Sequence, residues 1–125
     1  MLTADIHEFP TAKREISEAL RISREAAVLA RPFNEQVGAW QAETAKLMTM
    51  AARLTATGRY DAGVLEMART LMQSIETQSV RFEEAVAAQP ERVAKHSRVA
   101  DTRRAFEMMT ARLRQAMVTL GHRAP

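Results

Sequence analysis

The chain has no cysteine among its 125 residues, which excludes disulfides and thiolate metal sites and fits a reducing compartment. Aromatics make up only 5% and glycines number four, and no window alternates polar and apolar residues for long, so strands are not expected. The longest apolar runs, such as Ala26 to Ala30, fall far short of the roughly 18 to 20 residues needed to cross a bilayer. Met1 to Pro10 carries Asp5 and Glu8 but no basic residue, unlike a signal peptide. These absences predict a soluble cytoplasmic protein.

Chemistry-bearing groups are equally sparse. His7, His96 and His122 stand far apart and no Glu-x-x-His occurs, so the inward ligand sets of metal-binding bundles are missing. No glycine-rich phosphate loop and no nucleophile, base and orienter set can be picked out. The expectation is a non-enzyme with no cofactor and no metal.

Ala, Glu, Arg, Leu and Met dominate instead, a helix-forming balance in a chain that is 46% hydrophobic and long enough for one domain. Phe33, Val37, Trp40, Thr44, Leu47, Ala51 and Leu54 recur at alternating steps of four and three, as do Asp61, Leu65, Ala68, Met72, Ile75, Ser79, Phe82 and Val86. Each set is a coiled-coil-type seam, and Gly58-Arg59-Tyr60-Asp61 between them is a written turn, with Gly58 ending one helix and Asp61 capping the next. Trp40 and Phe82 are expected in the core. Upstream, Ile16, Ala19, Ile22, Ala26, Leu29 and Phe33 share one face; downstream, Val99, Thr102, Phe106, Met109, Leu113, Ala116 and Leu120 form a last seam, whose phase is lost before Val99. Pro32 lacks an amide hydrogen and disfavours helix at Arg31, predicting a break there, while Pro90 opens the last helix.

The expected fold is therefore all-α, an antiparallel up-down four-helix bundle with helices near 11–30, 33–57, 61–88 and 91–120. A flexible arm (1–10) precedes it, the bundle domain spans 11–121, and a tail (122–125) follows. If the chain bent at Pro32 without breaking, residues 11–57 would be one rod with an overhang. In the favoured arrangement helix 1 is the shortest, leaving part of the bundle to be covered either by the arm 1–10 or by a partner.

Charge is uneven. Residues up to Gln89 hold 10 basic and 12 acidic groups, net −2, whereas Pro90 to Pro125 hold 8 and 3, net +5. Arg92, Arg103 and Arg114 lie eleven apart along the last helix, a line able to meet acidic side chains or phosphates. Glu91, Asp101 and Glu107 are interspersed and no aromatic accompanies the arginines, which argues against nucleic acid. Among eight methionines, Met72 and Met109 sit on seams, Met48, Met50 and Met117 at their edges, and Met67 and Met108 point outward. Flexible, polarizable Met suits surfaces that accommodate partners. Met108, Arg92, Arg103, Arg114 and Met67 are accordingly the candidate partner-binding residues.

The span from Leu54 to Ala68 resembles the inter-helix turn of a tetratricopeptide repeat, but it occurs once and its helices are too long for one. The longer span from Phe33 through Thr77, with Trp40, the Gly-Arg-Tyr-Asp turn and Leu71-Met72-Gln73-Ser74-Ile75-Glu76, is similar to the small helical export chaperones of flagellar type III secretion. That resemblance implies a cytoplasmic all-α protein holding an unassembled subunit through apolar helix faces. Gln36 to Met48 resembles phasin-like granule-coating proteins. The function expected is a protein-binding helical bundle, a secretion chaperone or regulatory adaptor, with homodimerisation open. The alternative is a basic helical protein on nucleic acid or a storage-granule surface.

Overall fold

The structure is a computed structural model that describes the backbone of residues 2–121 and the side chains of residues 12–121. The chain is all-α: α1 runs Leu2–Thr57, α2 Ala62–Ala87, α3 Glu91–Ala94 and α4 Ser97–Gly121. The expected tail 122–125, with His122, lies outside the described residues, as does the side chain of His7.

The α1–α2 turn forms as its residues dictate. Gly58 takes φ 67°, a left-handed conformation open to glycine at little cost. Its amide donates to the Thr55 carbonyl at 3.2 Å and that of Arg59 to the Leu54 carbonyl at 2.9 Å, satisfying two carbonyls that the end of α1 would leave unpaired. The Asp61 carboxylate then accepts from the amides of Gly63 at 2.8 Å and Val64 at 3.3 Å, capping α2.

Pro32 does not break the chain. Residues expected as two helices, 11–30 and 33–57, form the single 56-residue α1, so the four-helix up-down arrangement is corrected to three long helices and one short turn. An interior proline forfeits one backbone bond and crowds the preceding turn, a cost of about 3 kcal/mol. Packing on both sides offsets it: Ala26 and Ala30 are buried before Pro32 and Val37 after it, while the Pro32 ring itself is exposed. Phe33 lies edge-on against Phe82 at 5.1 Å and Phe106 at 6.4 Å between ring centroids. Helix α1 also takes in residues 2–10, read from the sequence as an arm.

The last helix is split where its phase fails. Arg92 and Lys95 would enter the core if 91–120 were continuous; instead α3 ends at Ala94 and α4 restarts at Ser97. The His96 Nδ1 accepts the Arg98 amide at 3.1 Å, capping α4, while Val93 anchors α3 with 1% exposure.

α1, α2 and α4 pack pairwise, with α3 against α1 and α2. α2 returns antiparallel to α1, and α4 runs antiparallel to α2, as Glu83 meeting Arg103 and Phe82 meeting Phe106 require. All seven α4 seam residues are buried, as is Phe82, whereas Trp40, expected in the core, is half-buried. The α1 face is covered only from Ile22 onward: residues 12–20 are exposed throughout. The predicted gap is thus inverted. Helix α1 is not too short for the bundle; residues 14–21 run exposed beside α3, and the helix continues past them by roughly 18 Å for residues 2–13 at 1.5 Å each.

Candidate partner-binding surfaces

Two of the grooves between helices hold residues singled out from the sequence. The first runs between α2 and α4, about 590 Å³, lined by Glu76, Val80, Phe106, Glu107, Ala111 and Arg114 among others. Val80 lies off the α2 seam and is 58% exposed, so an apolar wall faces solvent above the Phe106 floor. Beyond one end, Arg103 holds Glu83 in a two-pronged contact, Nε to Oε1 at 2.7 Å and Nη2 to Oε2 at 3.0 Å. Those bonds raise the Arg103 guanidinium above its ordinary value, against the opposing effect of burial. Arg103, Glu107, Thr110 and Arg114 follow at steps of four, three and four, one edge of α4 along this groove.

Met108 is not among the residues that line the groove and is 49% exposed. Arg104 and Arg112, each four residues away, are exposed beside it, so an apolar side chain is framed by two cations on the outward face of α4.

The second groove, about 910 Å³, lies where α1 leaves the bundle beside α3. Its floor is Ala19 and Ile22. Glu15, Glu18 and Arg14 form the α1 wall; Glu91, Arg92, Lys95 and His96 form the other. Lys95 is paired with Glu91 on α3.

The five residues singled out from the sequence are therefore not one surface. Arg114 lines the α2–α4 groove and Arg103 extends its edge, whereas Met108 stands on the outward face of α4 outside the lining. Arg92 is on α3 in the second groove, cut from the arginine line by the break before α4. Met67 is exposed near the start of α2 and lines neither groove. Sequence reasoning missed Val80, whose only signal was an apolar residue off the seam. It also placed Ile16 on a core-facing stripe, although Ile16 and Leu20 are 62% and 52% exposed.

Among the described residues no cluster of three or more His, Asp or Glu is arranged to hold a metal ion. No described helix is long and apolar enough to cross a membrane. Compared with known proteins, the chain matches no family model, no curated protein and no solved structure.

Proposed function

We propose that this protein works by binding another protein in the cytoplasm, as a secretion chaperone or regulatory adaptor, alone or as a homodimer, and without catalysing a reaction. The observation that supports this reading is the α2–α4 groove, where Val80 presents its side chain to solvent beside the buried Phe106, together with Met108 exposed on the outward face of α4. A groove between two helices with apolar anchors and charged borders suits an amphipathic helix, the apolar contacts supplying affinity and Arg103, Arg114 and Glu76 orientation.

The test is capture of co-purifying proteins from the native host with the intact chain and with the Met108→Asp/Val80→Asp double variant. Loss of one specific partner, with melting within a few degrees of the parent, is expected because both positions are exposed. Equal capture by both chains removes this groove from consideration.

A second reading has one observation of its own, the Arg104, Met108 and Arg112 stripe on α4, which suits an anionic surface such as nucleic acid or a granule coat. Its signature is steep salt dependence, with binding at about 50 mM salt abolished by about 200 mM.

A further inference from the structure

The α2–α4 groove belongs to a longer face whose charges are sorted by sign. Glu83 beside Arg103 and Phe82 beside Phe106 fix the antiparallel register of the two helices. Val80 therefore stands across from Glu107, Glu76 from Ala111 and, further along, Arg69 from Val118. On α4, Glu107, Ala111, Arg114 and Val118 follow at steps of four, three and four, one edge of the helix. On α2, Arg69, Glu76 and Val80 keep the same phase at steps of seven and four. One half of the face is acidic, with Glu107 and Glu76 beside Val80; the other is basic, with Arg114 and Arg69 beside Val118. Both valines are 58% exposed, and they stand at opposite ends of the face, about 16 Å apart along the helices. Among the described residues Glu76, Glu107 and Arg114 enter no ion pair. Arg69 reaches Glu66 only at 3.9 Å, with the two side chains 61% and 69% exposed.

We propose that in the free protein this face is closed by the same face of a second copy, turned end over end. That pairing sets the acidic half of each copy on the basic half of the other. Glu107 meets Arg69 of the second copy, Glu76 meets its Arg114 and Val80 its Val118, and each contact occurs twice, as an isologous interface requires. The other two-fold pairing, with both copies pointing the same way, would gather the glutamates of both copies at one end and the arginines at the other. Like charges set against each other across an interface are costly, so charge selects the first arrangement. A foreign helix would have to carry the matching order of charge, whereas a second copy carries it by symmetry.

The face is short and buries roughly 1,000 Å² in all, the low end for specific association. The dimer therefore dissociates on dilution, and a partner protein gains the groove by displacing the second copy. This rests on the reading of the groove as a binding surface and names its occupant when no partner is present.

The test uses the full chain. Sedimentation equilibrium across a wide concentration range should show a monomer–dimer exchange that weakens with salt. Glu107→Arg and Arg69→Glu should each be monomeric where the parent is dimeric, with melting within a few degrees of the parent because both positions are exposed. An equimolar mixture of the two variants should dimerise again. Within one copy the two positions lie about 16 Å apart along the helices, too far to compensate each other, so rescue in the mixture reports contact between copies in this register. A parent that is monomeric throughout, single variants that dimerise like the parent, or a mixture that stays monomeric overturns the proposal. So does a different protein seated on this face of a chain that never self-associates. The two readings fail separately. Partner capture lost in Met108→Asp/Val80→Asp while the parent is monomeric keeps the partner-binding reading and overturns this one; charge rescue with capture unaffected does the reverse.

Discussion

The Thr102 hydroxyl on α4 reaches the Asn34 side-chain carbonyl on α1 at 2.8 Å, two residues beyond Pro32. The same oxygen lies 3.1 Å from the Arg98 carbonyl, so its single proton serves one of the two at a time. This tie, with Phe33 against Phe82 and Phe106, fastens α1 where its backbone is weakest. Continuity of the helix is thus a tertiary result obtained against local preference.

Pro32→Ala is therefore expected to stabilise the protein, restoring the missing amide bond at an exposed position. The gain should approach the cost of an interior proline, about 3 kcal/mol at most, and urea denaturation with an unchanged m-value would register it. A loss of stability would mean that the proline bend itself sets the packing of Phe33.

Thr44 is 1% exposed and its Oγ1 has no hydrogen-bond partner. Elsewhere in these helices Thr49, Thr55, Thr77 and Thr119 donate back to carbonyls four residues earlier. Thr44→Val keeps the shape and removes the orphan hydroxyl, so it should stabilise by about 1 to 2 kcal/mol. If the variant is less stable, the hydroxyl has a partner, such as a bound water, that Val displaces.

The two aromatic seam residues should separate cleanly. Phe82 is fully buried and touches both other rings of its cluster, so Phe82→Ala should cost about 3 to 5 kcal/mol. Trp40 is only half-buried, and Trp40→Ala should cost clearly less. Chemical denaturation of both variants checks the order, and a reversal would place Trp40, not Phe82, at the centre of the core.

Much of this fold could be read from residue order, because where a helix buries one face the spacing of its apolar residues and the turn chemistry are local. Gly58, Asp61 and every seam residue of α4 illustrate it, and the outward pointing of Met67 and Met108 follows from the same phase. Pro32 was misjudged because its cost is local while its compensation comes from α2 and α4. Ile16 was misjudged because an apolar stripe looks the same whether its cover comes from the same chain or not. The candidate surface was legible only residue by residue: Arg114 and Val80 belong together by an encounter of α2 with α4, and Arg92 is parted from Arg103 by the break between α3 and α4. Spacing along one helix reports neither.

Because core and overhang share one uninterrupted helix, α1 acts as a ruler. The distance from the Phe33 cluster to the tip is set by counting residues, and so is the direction in which the tip faces. Seven extra residues between Ser17 and Ile22 would carry the tip outward by about 10.5 Å and turn it only slightly, whereas two would swing its apolar stripe to the opposite side. Whatever engages Ile16 and Leu20 is thereby held at a defined reach and bearing from the rest of the molecule.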